Sequence, residues 1–335
     1  MVYRFLLRPP LFLLPAERAH DLALLGAKIL GQSHSLAALV HRFAKSADLP
    51  VSLMGLNFPN PVGLAAGMDK NGVAPLAWWA FGFGFAELGT VTPLAQEGND
   101  KPRMFRYRKE GVLVNRMGFN NGGAAALAER LRRQAERGLR PAFPIGISVG
   151  KNKNTSAEQA ADDFTKAAAM VAPQADFLTV NVSSPNTDGL RALQNAEDLR
   201  RIIRGVRGVA GGKPVLVKIA PELAGYTLEA VLDTALAEGA AGIIATNTLS
   251  TKDKPNRELG GESGATLREI SLRKVEEVRK LIGTTPVLIG CGGIDDAAST
   301  QAMLDAGANL VQLYTALVYQ GPFLPAAITR GLRHG

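Results

Sequence analysis

The sequence predicts an α/β chain, a (β/α)8 TIM barrel carrying a small N-terminal helical extension. Three observations predict it. From residue 61 on, short apolar runs alternate with helix-like segments. Eight such pairs over about 270 residues match a barrel in count and size. The runs also end in Gly, Asn, Thr, Ser or Lys, which gathers polar chemistry at one end of the predicted sheet. A doubly wound open sheet is the alternative. Against it, no G-x-G-x-x-G opens a helix after the first run.

The predicted strands are 62–66, 84–90, 143–149, 176–181, 214–219, 241–246, 286–290 and 309–314. Helices are expected near 72–81, 121–137, 156–172, 195–208, 226–238, 268–282, 296–306 and 322–333. Between residues 102 and 114 the spacing predicts a hairpin inserted after the second strand.

Residues 1–50 read as a separate unit, and 51–335 as the barrel domain. Leu6, Leu7, Leu11, Phe12, Leu13 and Leu14 crowd around Arg8 and the pair Pro9-Pro10. Pro15 opens a helix with Leu22, Leu25 and Ile29 on one face. After Gly31, Leu36, Leu39, Val40 and Phe43 fall at i, i+3, i+4 and i+7, an amphipathic helix. Two readings stand for this unit: a helix pair packed on the barrel, or a surface pair touching a membrane. No run of about 18 apolar residues occurs, so no spanning helix is expected. Arg8, Pro9 and Pro10 interrupt any signal-peptide core.

Composition narrows the chemistry. The chain has 335 residues, 46% of them hydrophobic, enough for one large core. Its one cysteine, Cys291, excludes an internal disulfide framework, and a reducing compartment is expected. The histidines are His20, His34, His41 and His334, so the middle of the chain has none. No His-based triad or His-ligated metal is expected there, and a general base must be another residue type. Net charge is +8. The basic clusters at 101–109 and 130–140 contain or adjoin acidic residues and read as solvated faces, not a nucleic-acid surface. Anionic small ligands or an anionic membrane fit the charge.

The strand ends carry the candidate site. After the first strand come Ala66, Gly67, Met68, Asp69 and Lys70. Thr90 ends the second strand and Ser148 closes the third. The fourth runs into Asn181-Val182-Ser183-Ser184-Pro185-Asn186-Thr187, where two amides flank a hydroxyl. Asn both donates and accepts, which suits a flat polar ligand; an ordinary Asx or Ser turn is the plainer reading of that loop. The fifth strand ends at Lys218, which burial requires to be paired with something anionic. Thr246, Asn247 and Thr248 follow the sixth, and Gly292-Gly293-Ile294 the seventh, before a helix expected near Asp295. Glycine-rich helix starts bind phosphate. Gly260-Gly261-Glu262-Ser263-Gly264 adds amides or is a flexible loop, and Tyr314-Thr315 end the last strand. Asp69 and Lys70 also read as a surface ion pair, and Cys291 as a small packing residue.

These motifs together resemble the class 2, quinone-linked, membrane-associated dihydroorotate dehydrogenases, over essentially the full length. The resemblance rests on Ala66-Gly67-Met68-Asp69-Lys70, Asn115-Arg116-Met117-Gly118-Phe119, the 181–187 loop, Val217-Lys218-Ile219-Ala220-Pro221, Ala245-Thr246-Asn247-Thr248 and Pro15-Ala16-Glu17-Arg18-Ala19-His20. Class 1 enzymes carry a catalytic cysteine where this chain has Ser184, and they lack the extension. The resemblance implies FMN as cofactor and oxidation of dihydroorotate to orotate in pyrimidine synthesis. It implies that Ala66, Gly67, Met68, Asp69, Lys70, Thr90, Asn181, Lys218, Thr246, Gly264, Gly293, Tyr314 and Thr315 hold FMN. Ser148 stands where relatives carry an asparagine near the flavin. Lys70, Asn115, Arg116, Met117, Gly118, Phe119, Asn181, Asn186, Asn247 and Thr248 would hold the substrate, and Ser184 would be the base. Expected partners are dihydroorotate, a membrane quinone and, through residues 1–45, the cytoplasmic face of a bacterial inner membrane. A monomer is expected, with no metal and no nucleic acid. A soluble class 1 enzyme, a non-redox phosphate-binding barrel and a non-enzymatic barrel are the rival readings.

Overall fold

Backbone hydrogen bonds close eight parallel strands into a barrel in the computed structural model, which describes residues 3–187 and 189–332. Asp188 of the fourth-strand loop and position 333, the expected end of the last helix, lie outside the described residues. In chain order, a π-helical turn at Tyr3–Leu7 leads into α1 (Arg8–Leu13), α2 (Ala16–Leu30) and α3 (His34–Ala44). A hairpin of β1 (Val51–Leu53) and β2 (Leu56–Phe58) precedes β3 (Val62–Leu64), α4 (Pro75–Ala80) and β4 (Phe85–Val91). Next come β5 (Met104–Tyr107), β6 (Val112–Asn115), α5 (Ala124–Glu136), β7 (Ile145–Val149), α6 (Ala160–Val171), β8 (Phe177–Asn181) and α7 (Ala196–Val209). The chain continues through β9 (Val215–Ile219), α8 (Gly225–Ala237), β10 (Gly242–Ala245), β11 (Leu249–Ser250), β12 (Gly261–Gly264) and α9 (Arg268–Ile282). It ends with β13 (Val287–Cys291), α10 (Ala297–Asp305), β14 (Leu310–Leu313), α11 (Thr315–Gln320) and α12 (Leu324–Gly331).

Barrel order is β3-β4-β7-β8-β9-β10-β13-β14, closing back on β3. All eight predicted strands are present within two residues at each end. Their Val, Ile and Leu runs are buried on both faces because helices cover the outside. The hairpin of β1 and β2 and the short strand β11 are not among the expected elements, and two predicted segments differ. The segment read as one helix at 322–333 is preceded by α11, with Gly321 (φ 97°) between α11 and α12. The glycine stretch 260–264 is a strand, β12, in an antiparallel sheet ordered β11-β12-β6-β5. Long-range pairing to β6 decides this, and no local pattern reports it.

The floor of the barrel is apolar. Phe58 of the β1–β2 hairpin packs edge-on against Phe85, with centroids 5.4 Å apart, and Phe85 contacts Phe177. Leu216, Ile244, Val287, Ile289 and Leu310 complete this layer. Glycine makes room for the rings. A Cβ at Gly63 would sit 2.2 Å from Phe85, and one at Gly146 2.1 Å from Phe177. With the amino ends plugged, the interior opens at the carboxyl ends.

The N-terminal unit lies on the barrel through its small residues. Ala19, Ala27, Ala37 and Ala44 are buried, whereas Leu22, Leu25, Ile29, Leu36, Leu39 and Phe43 are exposed. Polar contacts fix the unit in place. Arg106 donates to the Leu11 carbonyl and the guanidinium of Arg108 to that of Phe12, while His41 stacks on Trp79 at 4.1 Å. Arg103 is buried and grips Glu17 with Nε and Nη2 at 3.1 and 2.8 Å. The basic cluster at 101–109 is therefore a docking surface for α1 and α2 and not simply a solvated face. The 130–140 cluster fits its expected reading better, since Arg132 and Arg133 pair with Glu129 at the surface.

Burial raises the Glu17 carboxyl, but the hydrogen bonds and charge of Arg103 outweigh it and hold the group below its ordinary value. A carboxylate with a lowered folded pKa stabilises above its unfolded pKa and loses that contribution as pH falls through the folded one. Glu17→Ala strands a buried guanidinium and is expected to cost about 3 kcal/mol at neutral pH. Urea unfolding should show this loss, and the gap to the parent protein should narrow in acid.

Candidate active site

The carboxyl ends of the strands surround one cavity, and most of the sequence-predicted residues line it. These are Ala66, Gly67 and Lys70 after β3, Thr90 on β4, Asn115 to Phe119 without Arg116, and Asn181, Ser184 and Asn186 after β8. Lys218, Thr246, Asn247, Thr248, Gly264, Gly293, Tyr314 and Thr315 complete the set. The sheet of β5, β6, β11 and β12 lies over the mouth and brings in Met104, Leu113 and Ser263.

Four predicted residues do not reach the cavity. Asp69 is fully buried beneath it and fastens α4: its carboxylate accepts from the Val73 and Ala74 amides and from Trp78 Nε1. This replaces the surface ion pair with Lys70. Met68 is buried in the core beside it. Arg116 points outward, donating to the Pro102 carbonyl and lying over the Phe105 ring. Ser148 sits one layer down, its Oγ 2.8 Å from Thr90 Oγ1, which does line the cavity. Ser148 therefore meets the cavity only through Thr90.

The asparagines form two linked pairs. Asn186 Nδ2 donates to Asn115 Oδ1 at 3.1 Å. Asn247 Nδ2 donates to Asn181 Oδ1 at 3.3 Å and to Ser183 Oγ at 2.9 Å, and Asn181 Nδ2 donates to Thr90 Oγ1 at 2.8 Å. Ser184 Oγ is buried and accepts from the Asn186 amide at 3.2 Å. The Thr187 hydroxyl three residues on is buried and unpartnered among the described residues. Phe119 bends the 115–119 loop at φ 54°, a left-handed backbone costly for a bulky residue.

Lys218 is buried, and among the described residues it has no hydrogen-bond or ion-pair partner, as expected for a group awaiting an anionic ligand. Lys70 is partly buried and donates to Asn120 Oδ1 at 2.5 Å. Burial and the neighbouring Arg103 push its ammonium down to about 7, against the pull of Glu17 and Asp21. Burial likewise pushes the Cys291 thiol up, so it is not a nucleophilic thiolate. The first turn of α10 is closed by its own Asp296 capping box, and the cavity is lined instead by Gly292, Gly293 and Ile294 of the preceding loop. Gly264 (φ 111°) and Gly293 (φ 71°) leave no space for a Cβ, which would fall 2.3 and 2.2 Å from neighbouring backbone. Such a cradle suits a phosphate, and the unpaired Lys218 suits a ring that gains negative charge, so the residues fit a flavin nucleotide.

Sequence reasoning missed the residues that hold these loops together. Arg191 ties Ser183 and Thr248 by their carbonyls, at 3.0 and 2.9 Å, and pairs with Glu222. Asn99 Nδ2 donates to the Asn186 and Arg116 carbonyls, joining the loops after β8 and β6. Asn99 sits in a loop and Arg191 opens a short 3-10 turn at Arg191–Leu193, and neither has a local signature of this role.

A cavity of this kind at the carboxyl ends of a closed parallel barrel defines a (β/α)8 barrel enzyme. The model of the dihydroorotate dehydrogenase family matches residues 48–335, and this chain belongs to that family. A dihydroorotate dehydrogenase (quinone) of Chloroflexus aurantiacus is 44% identical, with 99% of this chain and 96% of that protein covered. One from Marinobacter nauticus is also 44% identical, with 95% of each covered. The crystal structure of DHODH from Eimeria tenella in complex with ferulenol superposes with a TM-score of 0.81 at 34% identity, covering 94% of this chain and 90% of that one.

Lys70 has a depressed folded pKa, so its charge destabilises the ligand-free protein at and below pH 7. The unfolded chain binds the extra proton between about 7 and the ordinary lysine value, so stability should rise with pH across that window. Lys70→Met should stabilise the ligand-free protein at neutral pH by on the order of a few kcal/mol. Urea titrations should show this gain, shrinking as pH rises.

Proposed function

We propose that this chain is an FMN-dependent dihydroorotate dehydrogenase of the quinone-linked class. It oxidises (S)-dihydroorotate to orotate in pyrimidine synthesis and passes the electrons to a membrane quinone. The observation that carries the reading is Ser184: a buried hydroxyl between Asn181 and Asn186, on a cavity that also holds the unpaired Lys218 and the glycine cradle. A serine at this place and the helical extension favour the quinone-linked class over the cysteine-bearing soluble one.

Gly264, Gly293, Tyr314 and Thr315 would hold the FMN phosphate, and Thr90, Lys218 and Thr246 its ring. Bound FMN supplies the two-electron acceptor. The chain's own residues do the rest. Lys70 neutralises the substrate carboxylate, and a carboxylate beside it raises its pKa back toward the charged form. Asn115, Asn181, Asn186 and Asn247 offer the donors and acceptors that a ring of alternating carbonyl and N–H groups requires. Ser184 Oγ takes the proton from one ring carbon. A neutral serine is a weak base with no carboxylate or imidazole bonded to it here, so the proton must move on. The unpartnered Thr187 hydroxyl is the group this loop offers for that transfer.

The extension supports peripheral attachment to the cytoplasmic face of a bacterial inner membrane. Ten of the sixteen exposed large hydrophobic residues fall between Phe5 and Phe43. No single helix is long and apolar enough to cross a membrane, and α2 and α3 meet at 110°. Each apolar side chain that enters lipid contributes about 1.5–3 kcal/mol, so a few suffice for reversible binding.

Ser184→Ala should slow flavin bleaching by dihydroorotate by roughly 10²- to 10⁴-fold with flavin still bound. Stopped-flow absorbance measures this, and bleaching at the parent rate would refute the base. A protein that is colourless and cannot be reconstituted with FMN would refute the whole reading. Replacing Leu13, Leu25, Ile29 and Phe43 with Ser should abolish sedimentation with anionic liposomes. Reduction of a long-chain quinone should then fall about tenfold or more, the equivalent of about 1.4 kcal/mol. Bleaching by dihydroorotate should persist, since none of the four lines the cavity.

A further inference from the structure

Beneath the cavity lies a buried charge that the reaction as described does not use. Glu87 is on β4 and is fully buried. Its Oε2 accepts from Nε2 of Gln312 on β14, and its Oε1 is unpartnered. No cation lies within ion-pair distance of it among the described residues. Gln312 is 1% exposed, lines the cavity and has its own Oε1 unpartnered. One amide hydrogen bond is weak compensation for a carboxylate in a closed barrel. The layer below it is hydrocarbon, with Phe85 and Phe177 as its centre, and provides no screening.

Lys218, also buried and unpaired, lines the same cavity. The Cys291 thiol lies beside Gln312 in strand register and feels both charges, Lys218 drawing its pKa down and Glu87 pushing it up. Glu87 and Lys218 are thus opposite charges serving one small space. They are too far apart to pair, yet sit in a low dielectric where charges interact over longer range than in water.

We propose that Glu87, held in place through Gln312, is a positioning residue that sets the reduction potential of the flavin by opposing Lys218. This rests on the flavin reading above. Lys218 favours the reduced, negatively charged ring, and Glu87 disfavours it. The pair holds the potential low enough for electrons to leave for the quinone while still allowing the substrate to deliver them. Gln312 holds the carboxylate under the cavity that it lines.

The test is the midpoint potential of the bound flavin in Glu87→Gln holoenzyme, an isosteric change that keeps an oxygen for Gln312. Reduction should become about tenfold more favourable, a rise of about 30 mV for a two-electron couple. Oxidation by quinone should slow, while bleaching by dihydroorotate is retained. An unchanged or lowered potential with full flavin content overturns the proposal. Should that variant lose flavin, Glu87→Asp carries the test. It keeps the charge but withdraws it by one methylene, so a smaller rise is expected, and no rise overturns the proposal. Loss of flavin from both variants would overturn it in favour of a structural role. Absence of flavin from the parent protein would instead refute the flavin reading.

Discussion

Closure of the barrel is the constraint on which everything else depends. A parallel strand is buried on both faces and stable only inside a covered sheet, and closing that sheet abolishes its edges. It also directs eight carboxyl ends to one mouth, so residues 66, 90, 181, 218, 246, 293 and 315 meet across a single cavity. The hairpin carrying Phe58 plugs the other end, so polar groups accumulate in the upper half alone.

That division is costly in polar burial. Buried polar atoms are normally hydrogen-bonded, yet Glu87 Oε1, Gln312 Oε1, Thr179 Oγ1 and Thr187 Oγ1 are not, and all four belong to barrel strands or to the loop after β8. Lys218 adds an unpaired charge. Gln301 Oε1 on α10 is unpartnered as well, and of these groups Gln312 and Lys218 line the cavity, so only part of this cost lies where a ligand arrives. Around them the loops are braced by well-satisfied groups, Asn99, Arg103 and Arg191, each bonded to two or more loop carbonyls or side chains.

The N-terminal unit follows an inverted logic. Its helices turn alanines inward and leucines outward, so it is held by guanidinium, carboxylate and carbonyl contacts while its apolar faces stay free. Glu17 on α2 is joined through Arg103 to Asn99, and Asn99 to Asn186 beside Ser184. The extension is therefore linked to the loop that would carry the base only through Arg103 and Asn99, and no described residue before 61 lines the cavity.

The strand and helix alternation was legible because buried parallel strands read as uninterrupted apolar runs and their covering helices as amphipathic ones. Glycine, asparagine and lysine at the run ends marked the cavity for the same reason: such residues end strands, and a barrel sends all those ends one way. Local pattern could not say that 260–264 is a strand, because its partner lies some 150 residues away in sequence on β6. Nor could it separate Lys70, which faces the cavity, from Asp69, which turns beneath it, since neighbouring residues point in opposite directions and only packing decides which is inside. Whether Leu22 and Leu25 face the barrel or solvent was equally undetermined. An amphipathic helix shows that one face is apolar, and the tertiary structure alone shows what, if anything, that face meets.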